Sequence, residues 1–146
     1  MKKLLILATV ALMATCSQAS AWRWNASGVN DATGTNPYSG AATLYAIIDG
    51  TATVVSTANM SNGAVPNTTF SNDDLAAGTA YTFYYTMEDD AGNTFKSSEK
   101  SARAQATATV PLGFGSGGEW TVAPEPTSGL LMLLGMAGLA LRRRRA

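Results

Sequence analysis

The sequence predicts an all-β protein whose body is a small antiparallel β-sandwich, with a short helix-forming segment at each end. Three observations predict the sandwich. Thr, Val, Ala, Tyr and Ser dominate residues 22–110, where no stretch longer than a turn repeats with the 3.6-residue period of an amphipathic helix. An Asp-Gly pair separates two β-branched runs within the body. About seven or eight short alternating segments are separated by turn residues, which is typical of a sandwich.

The first clear element is a hairpin centred on Asp49 and Gly50. These two residues lie between apolar, β-branched runs at 44–48 and 51–55. An Asp-Gly pair suits a type I′ turn, because both central positions of that turn need a positive φ. The pattern therefore predicts two antiparallel strands joined by a two-residue turn.

The second clear element is a strand at residues 81–88. Apolar and polar side chains alternate along it, which indicates one buried face. A turn follows at 89–93, and Phe95 lies on the return strand. Residues 105–110 alternate again and predict another strand, and weaker signals predict strands at residues 22–25, 66–70 and 119–122.

The segment that enters the second element resembles part of a fibronectin type III domain. Leu75 precedes a turn, and Tyr81 follows six residues later at the start of a strand. The resemblance implies that the Tyr81 hydroxyl bonds back to the backbone, as in a tyrosine corner. It covers only residues 75–110, and the first half of the body departs from that family. An immunoglobulin- or fibronectin-like topology and a generic small sandwich therefore both stay open.

Residues 1–21 have the pattern of a secretory signal peptide. A basic start is followed by an uncharged apolar run at 4–14, and Ala19 and Ala21 supply the small residues at −3 and −1 that signal peptidase accepts. Cys16 raises the alternative of a lipoprotein signal, but Met13-Ala14-Thr15 is a poor fit before it. We therefore expect export through the Sec translocon and cleavage by signal peptidase after Ala21.

The C-terminal segment combines three features in a fixed order. Pro124, Glu125 and Pro126 form a stiff, extended strip, because each proline fixes φ and disfavours helix in the residue before it. Residues 129–141 are uncharged and predict a helix of roughly 20 Å, shorter than the roughly 30 Å hydrocarbon core of a membrane. A basic cluster follows and would stay cytoplasmic, leaving the body outside. The cluster consists of Arg142, Arg143, Arg144 and Arg145.

This arrangement resembles the PEP-CTERM sorting domain of bacterial proteins. The resemblance covers residues 124–146 and includes the order and spacing of the motif, the short transmembrane helix and the arginine cluster. It implies that an exosortase recognises Pro124-Glu125-Pro126, cleaves nearby and removes the helix with its arginines. It further implies a Gram-negative host, a transient membrane anchor, and a final place at the cell surface or in an extracellular, biofilm-type polysaccharide matrix.

These features divide the chain into four segments. We predict a signal peptide at 1–21, a β-sandwich domain at 22–112 and a sorting signal at 124–146. Between the last two, residues 113–123 contain four glycines and are expected to form a flexible spacer with a short strand.

The composition of the body excludes several kinds of chemistry. The chain has no histidine, and its one cysteine lies in the predicted signal peptide, so a Ser-His-Asp triad, thiol catalysis and thiolate metal sites are excluded. Glu88, Asp89 and Asp90 cluster at a predicted hairpin tip, where a small hydrolase or a Ca²⁺ site is the alternative to solvated turn residues. We expect solvated turns, no enzyme activity, no cofactor and no metal.

Charge and aromatic residues bear on the partners. Between residues 22 and 141, ten acidic side chains against four basic ones leave a net charge of −6, which argues against nucleic-acid binding. Trp22 and Trp24 share one face of a predicted strand, either as core residues or as a glycan platform. The sequence thus favours a non-enzymatic exported protein, with a carbohydrate-binding module of the exopolysaccharide matrix as the alternative.

Overall fold

A computed structural model describes residues 19–124 and 128–143, which form two β-sheets and one helix. The predicted all-β class of the body is confirmed. The strands of the described residues are β1 (Ser20–Ala26), β2 (Gly40–Ile48), β3 (Thr51–Met60), β4 (Val65–Asn72), β5 (Ala80–Glu88), β6 (Thr94–Ser97), β7 (Lys100–Arg103), β8 (Val110–Phe114) and β9 (Gly118–Thr121). The helix α1 spans Ser128–Arg143.

The two sheets differ in size and in the direction of one strand. The smaller sheet has the order β4-β1-β8, and the larger has the order β3-β2-β5-β6-β9, with β7 beside β5. All neighbours are antiparallel except β1 and β8, which run parallel. The prediction of a purely antiparallel sandwich is therefore wrong for this pair. A parallel pair needs a long crossover, and here every strand of the larger sheet except β9 lies in the chain between β1 and β8.

The predicted hairpin at Asp49 and Gly50 is confirmed. Ile48 pairs with Thr51, and the two turn residues have φ values of +50° and +77°, as a type I′ turn requires. The pairing of β2 with β3 shifts by one residue between Leu44 and Tyr45, which makes a β-bulge. The hairpin thus supplies the edge of the larger sheet.

We expect Gly50→Ala to lower the free energy of unfolding by about 1 kcal/mol. A Cβ at this position would meet no neighbouring atom, so the cost comes from the positive φ alone. Gly115→Ala is the matched control, because Gly115 has equally open surroundings and no positive φ. Urea denaturation of both variants checks this. Equal stabilities of the two would contradict the backbone explanation.

The tyrosine corner is present. The Tyr81 hydroxyl accepts a hydrogen bond from the backbone N–H of Ala76 at 2.9 Å and donates one to the carbonyl oxygen of Asp74 at 3.2 Å. These bonds fix the chain where it crosses from β4 in the smaller sheet to β5 in the larger one. They confirm the expected role of Tyr81, whereas a fibronectin-like topology for the whole body stays a prediction.

The predicted spacer at 113–123 contains the short strand that was expected, β9, but its first two residues belong to β8. Leu112 and Phe114 of β8 are buried, so the predicted domain boundary falls inside a core strand. Gly117 and Gly118 lie where neighbouring atoms leave no room for a larger side chain. A Cβ on Gly118 would overlap the ring of Phe95 and lie 2.6 Å from the carbonyl oxygen of Lys96. Glycine content alone did not reveal this, because it is equally typical of flexible chain and of tight backbone contact.

Candidate functional site

The candidate site is the point where the chain leaves the body toward α1. Strand β9 ends at Thr121, and Ala123 donates its backbone N–H to Oδ1 of Asn93 at 2.9 Å. Pro124, the first residue of the predicted sorting motif, follows at once and is exposed. Glu125 and Pro126 lie outside the described residues. The motif therefore begins one residue after the last hydrogen bond to the body that the structure describes.

Strand β9 is held by a short ladder and one aromatic side chain. It pairs with β6 over four residues, with Phe95 opposite Trp120. The Trp120 ring packs against Phe95 at a centroid distance of 5.5 Å and against Tyr38 at 5.7 Å. Its Nε1–H donates to the carbonyl oxygen of Asn30 at 3.0 Å. Trp120 thus anchors the last strand to the opposite loop of the body.

Asn93 is itself positioned by Asp89. Oδ1 of Asp89 accepts the backbone N–H of Asn93, and Oδ2 accepts its side-chain amide, both at 2.8 Å. The side-chain hydrogen bond is the main reason why the pKa of Asp89 lies below its usual range. The carboxylate therefore acts within its own turn, and it orients the amide oxygen that binds Ala123.

A second acidic turn lies nearby. One oxygen of Asp31 accepts the Thr33 hydroxyl at 2.6 Å and backbone N–H groups of the same loop, and these bonds lower the pKa of Asp31 to about 2. Asp31 lines an open cleft of about 350 Å³ together with Tyr38 and the acidic residues Glu88, Asp89 and Asp90. The structure thus brings the three predicted acids to the same end of the body as the exit of the tail.

The acidic side chains at this end of the body stabilise the turns in which they lie. Asp31 and Asp89 use their oxygens on local N–H and O–H donors, and both favour the ionised form. Among the described residues, no group of three or more His, Cys, Asp or Glu side chains could hold a metal ion. The Tyr38 hydroxyl donates to the carbonyl oxygen of Glu88 at 2.9 Å, which further fixes the tip.

Trp22 and Trp24 are core residues, and their interpretation as a glycan platform is wrong. Both have zero exposed surface. The Trp22 ring lies 4.8 Å from that of Phe83, and the Trp24 ring lies 5.8 Å from that of Tyr85, so both bridge the two sheets. The i, i+2 spacing correctly put them on one face, but spacing cannot tell whether that face looks inward or outward.

The outer face of the larger sheet carries an aromatic pair that the sequence analysis did not single out. Tyr45 and Tyr84 are directly paired across β2 and β5, with ring centroids 5.2 Å apart and planes 10° apart. Nζ of Lys96 lies 4.3 Å from the centroid of Tyr84. Tyr84 therefore has one ring face on Tyr45 and the other under an ammonium group, and it does not offer a free face to a sugar. The alternation of residues in β5 puts Tyr84 on the outer face, and this is the sequence signal that could have identified the pair.

The tail helix α1 has an apolar, exposed surface. Its described side chains lie at 132–140, where five large apolar residues are each 63–72% exposed: Met132, Leu133, Leu134, Met136 and Leu139. Within 19–124 and 128–143, no helix reaches the length and apolar character that a membrane crossing needs. Arg142 and Arg143 lie at the end of α1, whereas Arg144 and Arg145 lie outside the described residues.

The predicted signal-peptidase site lies at the start of the body. Residues 1–18 are outside the described range, Ala19 precedes β1, and Ala21 is an exposed residue within β1, opposite Ser71. Ser20 is fully buried in the same strand. A cut after Ala21 would therefore have to come before β1 pairs with β4.

Comparison with protein-family models finds one match. The model of the PEP-CTERM protein-sorting motif matches residues 122–145, which include the exit from the body and α1. The comparisons with curated proteins and with solved structures found no match.

Proposed function

We propose, from the PEP-CTERM protein-sorting motif that the chain carries at residues 122–145, that this is a non-enzymatic protein of the cell surface or extracellular matrix. The motif indicates an exported protein that an exosortase sorts to the exterior. The finer assignment rests on the tail and on the character of the body.

The tail suits a temporary anchor. The 16 residues of α1 span about 24 Å, which is less than the hydrocarbon core of a bilayer. Arginine side chains at its end can reach the interface, and local thinning can cover the remaining gap. In this proposal the helix holds the exported chain in the membrane until the exosortase cuts near Pro124-Glu125-Pro126 and discards it.

The proposed route begins with the N-terminal signal. The Sec translocon exports the chain, signal peptidase removes residues 1–21, and the body folds outside the cell around Trp22 and Trp24. The mature body then contains no cysteine, so its stability comes from the packed core between the sheets.

A structural or adhesive role fits the body better than catalysis. The clustered carboxylates act within their turns, and the pKa values of Asp31 and Asp89 are lowered, whereas a general acid needs a raised pKa. The alternative, an exopolysaccharide-binding module, loses its support because Trp22 and Trp24 are buried and Tyr84 has no free ring face.

The deciding experiment is the intact mass of the protein isolated from a host that makes the exosortase. We expect a mature chain without Arg142–Arg145, and we expect Pro124→Ala with Pro126→Ala to retain them, because the motif loses its fixed extended backbone. Pro66→Ala is the matched control, since Pro66 is an exposed proline within the body. A wild-type chain that still carries its arginines would refute the proposal.

A further inference from the structure

We propose that the folded body itself limits access to the sorting motif, through an exit clamp formed by Trp120 on Asn30 and Ala123 on Asn93. This inference rests on the proposed processing by an exosortase and adds a regulation of the same site. The chain is held up to Ala123, and processing waits for β9 to leave the edge of the larger sheet.

The chain between the clamp and α1 is short. The four residues between Ala123 and Ser128 can span at most about 18 Å, because an extended chain advances about 3.3–3.6 Å per residue. The body is thereby kept within that distance of the start of α1. A processing enzyme therefore has only a short length of chain to bind between the body and α1.

The backbone before the motif is already hydrogen-bonded to the body. Enzymes that bind extended peptides pair with their backbone as an added strand. The backbone of β9 pairs with β6, and the N–H of Ala123 is bound by Asn93. An enzyme that needs the β6-facing backbone groups of residues 118–121, or the N–H of Ala123, can therefore bind them only after they leave the body.

The clamp can open without unfolding the body. Strand β9 is an edge strand of four residues that pairs on one side only. Short edge segments open locally at a small fraction of the free energy of global unfolding. Trp120 and Asn93 supply the two side-chain hydrogen bonds that oppose this opening, and the Trp120 ring also packs on Phe95 and Tyr38.

The test compares processing rates of the full-length chain by pulse-chase and intact mass in the exosortase-bearing host. Inserting Gly-Ser-Gly-Ser between Ala123 and Pro124 should speed removal of the tail at least fivefold, because the motif is then reached without opening the clamp, and each hydrogen bond that opening breaks lowers the open population by about fivefold. The same insertion between Gly115 and Ser116 lengthens the chain before β9 and should leave the rate unchanged.

A lock should have the opposite effect. Thr94 and Thr121 are exposed and directly paired across β6 and β9, so Thr94→Cys with Thr121→Cys can join the strands by a disulfide. We expect at least fivefold slower processing, restored by a reducing agent. Equal rates for the wild type, the linker insertion and the lock would overturn the clamp while leaving sorting intact. An unprocessed tail in every variant would instead overturn the proposed function, and the clamp with it.

Discussion

Trp24→Ala is expected to lower the free energy of unfolding of the body by about 3–5 kcal/mol, the usual cost of removing a large aromatic side chain from a core. Trp24 has no exposed surface, and its ring contacts Tyr85 of the larger sheet and Phe114 of β8. Its Nε1–H also donates to Oγ of Ser56 at 3.1 Å. The substitution therefore leaves a cavity between the sheets and an unpaired hydroxyl.

Arg23→Ala is the matched control, because Arg23 is the exposed neighbour of Trp24 on β1. We expect it to change the unfolding free energy by less than about 0.5 kcal/mol. Urea denaturation followed by far-ultraviolet circular dichroism measures both variants. A Trp24→Ala protein as stable as Arg23→Ala would contradict the placement of the tryptophan in the core.

Alkaline pH is expected to destabilise the body by about 2 kcal/mol through Tyr85. Burial raises the pKa of Tyr85 to about 12 from an ordinary value of 10.0, because it disfavours the phenolate. The unfolded chain therefore loses this proton first. Stability is unaffected below about pH 10 and falls as the pH rises from about 10 to about 12. Denaturation curves across this range measure the loss.

Tyr85→Phe separates this effect from other tyrosines. The Tyr85 hydroxyl is buried and has no hydrogen-bond partner among the described residues, so its removal should leave stability at pH 7 unchanged or slightly higher. The same variant should lose less stability at high pH. Some loss will remain, because burial, with nearby Asp89, Asp90 and Glu88, also raises the pKa of Tyr38. A wild-type pH profile in Tyr85→Phe would contradict the assignment.

The direct connection between body and tail has a consequence for sorting. If 113–123 were a flexible spacer, the motif would be equally accessible whether the body was folded or not. Because β9 and Ala123 are bound, access depends on the state of the body. The acidic turn of Asp89 then has a clear role, since Asp89 orients the Asn93 amide that holds the exit.

The elements that local rules specify were predicted well. The type I′ turn at Asp49 and Gly50 and the hydrogen bonds of Tyr81 both appear where the sequence placed them. The sorting motif was found from the order of three short features, which the family model also matches. Each of these features depends on residues that are close together in the chain. The local sequence pattern is therefore enough to predict it.

What the sequence by itself determined is the all-β class, the local turns and the sorting address, because backbone preference and residue order act over a few positions. Only the tertiary structure decided which way Trp22 and Trp24 face, that β8 pairs in parallel with β1, and that Gly118 packs under Phe95 rather than loosening the chain. These outcomes depend on which distant strand packs beside each segment. The alternation of apolar and polar residues has the same period whether a face contacts protein or water, so it does not reveal that neighbour.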